Sequence, residues 1–217
     1  EAGERLARTG AVSDNQLLGL YTERQPAASG GVWERVAALQ ALEDALRRRD
    51  RQALTDALPH AWRTLTAARV EVPIARIHGP RLHALGLPGT AGQIAFRMAL
   101  LSEDYEAIAA AAEPETSLDR LLAGVARGVL AAQPFPGEPA RAVADAFAAT
   151  RTPARLASLV QGDRLGEAIL RAMALLTEGA QGNLDQVTDA LALLRAVGLE
   201  DTARRAALEY LILDRRG

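Results

Sequence analysis

The sequence predicts an all-α protein, built from antiparallel helical hairpins stacked as an irregular α-solenoid or right-handed superhelix. Three observations predict it. Apolar residues recur every three or four positions through most of the chain. The segments they define are short and bounded by caps or breakers, which places neighbouring helices antiparallel. No period-two alternation of useful length and no Asn-Gly hairpin signal appears, so strands are not expected.

The core this chain can build is of an unusual kind. Of its 217 residues, 49% are apolar and 24% charged, but only 4% are aromatic, and alanine makes up much of the apolar count. Alanine is the best helix former but buries little area per residue, so alanine-lined helices must approach closely and need many neighbours.

Taken in order, residues 1–30 hold a short amphipathic start around Leu17, Leu18 and Leu20, ended by the breaker Gln25-Pro26-Ala27-Ala28-Ser29-Gly30-Gly31. Val32, Val36, Leu39 and Leu46 define a helix to about Arg48. A second helix opens near Asp50, a plausible N-cap, and carries Leu54, Leu58, Trp62 and Leu65. Residues 70–90 read as the least regular stretch, punctuated by Pro73, Gly79, Pro80, Gly86, Pro88 and Gly89. Pro73 opens a segment with Ile74, Ile77, Leu82 and Leu85, which the Gly79-Pro80 step is expected to kink or interrupt.

The next helix starts at Thr90 and runs through Ile94, Met98 and Leu101, and Ser102 restarts one holding Tyr105 and Ile108. Thr116 or Ser117 caps a helix striped by Leu118, Leu121, Leu122, Val125 and Val129. Three prolines within Pro134-Phe135-Pro136-Gly137-Glu138-Pro139 then mark the expected boundary between an N-terminal part, residues 1–133, and a C-terminal part, residues 134–217. Helices around Val143 and Phe147, and from Thr152-Pro153 through Leu156, Leu159 and Val160, follow. Asp163 is read as the cap of a helix with Leu165, Ile169, Met173 and Leu176, and Asn183 as the cap of one with Leu184, Val187, Leu191 and Leu194 that Gly198 ends. A last helix carries Ala203, Ala207, Tyr210 and Leu211.

Three helix junctions share a pattern: Arg49-Asp50-Arg51-Gln52-Ala53-Leu54, Glu103-Asp104-Tyr105-Glu106-Ala107-Ile108, and Gly162-Asp163 leading to Glu167-Ala168-Ile169. A polar turn with an aspartate precedes a small residue and then a large apolar one. This resembles the turn between the helices of a tetratricopeptide-type hairpin, which implies stacked helical pairs whose concave face binds another polypeptide. Any short-loop helical hairpin would present the same aspartate and alanine, and no fixed period of about 34 residues runs through the chain. The runs Leu17-Leu18-Gly19-Leu20-Tyr21-Thr22-Glu23-Arg24 and Leu193-Leu194-Arg195-Ala196-Val197-Gly198-Leu199-Glu200-Asp201 are similar to exported helical proteins of alphaproteobacteria. That likeness implies a bacterial periplasmic or envelope location, with the cytoplasm as the alternative, and a chain cut from a longer precursor.

Composition narrows the chemistry. Net charge is −2 and both signs interleave, which argues against nucleic acid as a partner. Every cation is arginine, so P-loop and Schiff-base lysine chemistry are excluded. Without cysteine, disulfides and thiol nucleophiles are excluded as well. No Gly-x-Ser-x-Gly elbow, Gly-x-Gly-x-x-Gly turn or His-Glu-x-x-His helix occurs, and no apolar run is long enough to span a membrane. No catalytic residue, metal site or cofactor is therefore assigned.

Two groups of residues are the candidates for partner contact. Arg76, His78, Arg81 and His83 cluster where a polar loop is expected between rigid helices, the usual place for a ligand contact. His78 and His83 lack the same-face spacing of a helical metal pair. Trp33, Trp62 and Tyr105 are large anchors in a chain poor in aromatics, suited either to the core or to a binding groove. The basic run Arg47, Arg48, Arg49 and Arg51 reads as a solvated helix end. The function expected from this is a non-catalytic helical scaffold or interaction module that binds a protein or peptide. The alternatives are an accessory domain of a larger envelope enzyme or machine, and a small-ligand-binding protein using the His78, Arg81 and His83 loop.

Overall fold

The structure is a computed structural model that describes residues 1–23, 31–130 and 135–213. The described residues are all-α, with thirteen helices and no strand. Residues 25–30 of the expected breaker and Pro134 lie outside them. Packing divides the chain between Ile108 and Ala109, upstream of the proline-rich segment at which the sequence placed a boundary.

The first unit begins with α1 (Ala2–Arg8), a helix the periodicity did not reveal, and α2 (Asp14–Thr22). Ser13 caps α2 in a reciprocal box with Gln16, which satisfies two end donors at once. Then come α3 (Gly31–Arg48) and α4 (Arg51–Ala68), separated by two residues, with the Asp50 carboxylate accepting from Ala53 N–H as expected. α5 (Glu71–Ala84) and α6 (Gly89–Leu100) form the next pair, and α7 (Tyr105–Ala111) spans the division.

α5 corrects the expectation of an interrupted segment. Its buried residues Glu71, Ile74, Ala75, His78, Gly79 and Leu82 keep perfect helical register, and Pro73 falls in the first turn, where a missing N–H costs nothing. Gly79 explains why the middle turn tolerates the Gly-Pro step. A Cβ there would lie 2.5 Å from the Met98 carbonyl carbon of α6, so the bare glycine lets the two helix backbones touch. The dispersion gained along that crossing offsets the ladder bond that Pro80 removes.

The second unit contains α8 (Ser117–Arg127), α9 (Glu138–Ala148), α10 (Ala154–Gln161), α11 (Leu165–Gly179), α12 (Leu184–Ala196) and α13 (Glu200–Leu213). Asn183 caps α12 as read from sequence, and of the two caps the sequence offered for α8 it is Thr116, with Ser117 the first helical residue. Asp163 does not cap α11. Arg164 occupies that position without a side-chain cap, and Asp163 instead takes the left-handed conformation at φ 56° that turns the chain. α12 is central here, packing against α9, α11 and α13. Small residues again permit the approach: Ala168, Ala172 and Ala190 pack with Leu156, Leu159 and Leu193, and a Cβ on Gly179 would lie 2.9 Å from the Val187 nitrogen of α12.

Candidate functional site

Because α5 is a continuous helix, Arg76, His78, Arg81 and His83 do not share a polar loop. Five residues apart on a helix, the two histidines leave it about 140° apart. His78 is buried, with Nε2 2.6 Å from Glu43 Oε1 on α3. The contact is short but lacks the alignment of a linear hydrogen bond. Contact with His78 outweighs burial, and with the charges of Arg81 and Arg47 it holds the Glu43 carboxyl below its ordinary range. Arg81 donates to Leu46 O at the end of α3, tying the same two helices together. His83 faces elsewhere, tilted against the Phe96 ring of α6 at 5.4 Å between centroids, where burial lowers its pKa. Arg76 is exposed, with its guanidinium 4.0 Å from Asp14. The four residues are thus spread over three faces of one helix.

The aromatic candidates separate in the same way. Tyr105 is buried at 1% exposure, whereas Trp33 and Trp62 are half-buried. Trp33 lines a cleft of about 330 Å³ with Leu17, Leu20, Tyr21 and Val36. Its base is a polar group that the sequence reading missed. Glu4 is buried and accepts from Tyr21 OH at 2.5 Å and from Arg35 Nε and Nη2 at 2.8 and 2.7 Å. Burial opposes the Glu4 charge, but the bonds from Arg35 and Tyr21 prevail and hold its carboxyl below the usual range. Burial and the Glu4 charge together push the Tyr21 phenol up. With every oxygen engaged, this cluster is a joint between α1, α2 and α3. Among the described residues no group of three acidic or histidine side chains is placed to hold a metal ion.

The feature that stands apart is on α11. Leu165, Leu170 and Met173 are 44%, 67% and 55% exposed, half of the large apolar side chains left in solvent among the described residues. Leu170 and Met173 share one face with Gly166 and Thr177, at spacings of four, three and four, the seam spacing of a helix that packs against another helix. Leu165, five residues before Leu170, leaves the helix about 140° away from it. The opposite side of α11 is already buried through Ala168, Ala172 and Gly179. A sequence signal existed: the apolar residues of α11 span far more than the one stripe a surface helix needs. Compared with known proteins, the chain matches no family model, no curated protein and no solved structure. No helix among the described residues is long and apolar enough to cross a membrane.

Proposed function

We propose that this chain is a non-catalytic helical interaction module, or scaffold, that binds a protein partner through the open face of α11. The observation that carries this reading is the exposure of Leu170 and Met173, three residues apart on one face of a helix whose other side is already packed. An isolated exposed leucine is ordinary, but a contiguous apolar face at helical spacing marks an interaction surface. Its four-three-four register suits an amphipathic helix of the partner laid along α11.

The test uses the purified chain with a photoreactive residue in place of Leu170, exposed to extract of the source cell. A discrete crosslinked protein is expected, and it should disappear in a chain that also carries Leu165→Asp and Met173→Asp. Crosslinking that survives those changes would remove the proposal, and so would recovery of a small metabolite with no protein.

A further inference from the structure

A second cleft lies in the C-terminal unit, and neither the sequence reading nor the α11 proposal uses it. It has a volume of about 340 Å³ and is lined by the α8 face of Arg120, Gly124 and Arg127, facing Ala112, Pro114 and Val129 with Glu113 at its edge. Positions 120, 124 and 127 recur at intervals of four and three, so they share one stripe of the helix. Glycine at the middle position lets the Val129 carbonyl and Leu130 pack closely on the helix between the two arginines, a Cβ there lying 3.0 Å from each, so this packing sets the floor of the cleft.

Both guanidiniums are braced on neutral carbonyls. Arg120 Nη1 donates to Glu115 O at 2.8 Å and Arg127 Nε to Ala123 O at 3.2 Å. Each bond fixes the side chain while using one of five N–H donors and none of the positive charge. The contrast with α11 and α13 of the same unit is clear, where Arg171, Arg204 and Arg205 meet carboxylates. Two cations with donors to spare therefore border a cleft whose remaining walls are Ala112, Pro114 and the 69% exposed Val129. Glu113 supplies one opposing charge, which leaves the rim at a net +1 and favours a singly charged ligand over a phosphate.

We propose that this cleft binds a monocarboxylate carried on a short apolar chain, with Arg120 and Arg127 taking the carboxylate and Pro114 and Val129 the apolar part. Arginine pairs with carboxylate through parallel N–H bonds, and the volume is at the small end of ligand sites. Two sources share this chemistry: the C-terminal residue of a polypeptide and a free acyl acid.

Calorimetric titration of the full chain with three probes tests the inference: acetyl-Ala-Ala-Ala-Val as the free acid, the same peptide as its amide, and hexanoate. At least one acid is expected to bind about tenfold more tightly than the amide. Arg120→Gln and Arg127→Gln should each weaken that acid by about tenfold, and Glu113→Gln should tighten it, with helical circular dichroism unchanged. Tighter binding of the peptide acid than of hexanoate assigns the site to a chain end, and the reverse assigns it to an acyl acid. Equal affinity for acid and amide overturns the proposal, as does the absence of saturation by either acid, or binding that ignores both arginine changes. Leu165→Asp and Met173→Asp should leave this binding intact, so the cleft and the α11 face stand or fall separately.

Discussion

The four residues Met-Ala-Leu-Leu occur twice in this chain, at 98–101, where α6 ends, and at 173–176 in α11, and they hold the protein's two methionines. In the first copy exposure is 1%, 0%, 2% and 5% along the run. In the second, Met173 is 55% exposed and Ala174 also faces solvent, while Leu175 and Leu176 are half-buried. Intrinsic preference is the same in both, so the difference comes from neighbours. α6 packs against both α4 and α5 and has a bare glycine turned toward it. α11 packs mainly on α12, with α10 at one side. An apolar helix covered on two sides is a core element, and the same helix covered on one side is a surface with something left to bury.

The comparison breaks most readily at Gly79. Gly79→Ala places a Cβ 2.5 Å from the Met98 backbone, which cannot yield as a flexible side chain would. A loss of about 3 kcal/mol in urea unfolding is expected, larger than helix propensity could return. An unchanged midpoint would mean that α5 and α6 separate at little cost, and the account of α6 as the covered copy would fail.

Next come the methionines themselves. Met98→Ala removes a fully buried side chain and should cost about 2–4 kcal/mol, whereas Met173→Ala should stay within about 0.5 kcal/mol. Comparable losses at the two positions would show that Met173 is packed in solution, and the α11 face would not be open. Met173→Asp sharpens the contrast, since it should leave thermal stability nearly unchanged while abolishing partner crosslinking.

Most of the fold was legible because caps and periodicity are local. Asp50, Thr116 and Asn183 each accept from a backbone N–H three residues on, and the sequence alone named Asp50 and Asn183 and narrowed the third cap to Thr116 or Ser117. α5 was harder to read, because proline and glycine are strong local signals and what overrides them is the distant backbone of Met98 and Ala99. The same distance hid the candidate sites. His78 and His83 are neighbours in sequence, yet a helix turns them toward Glu43 and Phe96 respectively. Glu4, Tyr21 and Arg35 look unremarkable in sequence, being separated by 17 and 31 residues from Glu4, and only folding makes them one joint. Exposure of α11 depends on which neighbours are absent, which no window of sequence reports.

The pH dependence separates the same two units. Glu4 is held below its ordinary range by Arg35 and Tyr21, and a carboxyl depressed in the folded state contributes stability above its unfolded pKa that is lost as pH falls through the folded one. Glu200 follows the same rule in the second unit: burial opposes its charge, but Arg195 and Arg204 bind it and prevail. His83 adds a component confined to the first unit. Burial lowers its folded pKa, so between that value and about 6.5 the unfolded chain binds the extra proton and stability falls with acidification. Between about pH 7 and 5 the first unit should therefore weaken before the second, as followed by amide exchange in α6 and in α12. His83→Phe, which keeps a ring against Phe96 but cannot take a proton, should flatten that early loss and leave α12 unchanged. If α6 still loosens first in this variant, the early acid sensitivity does not come from His83, and its ring acts only as packing for the covered helix.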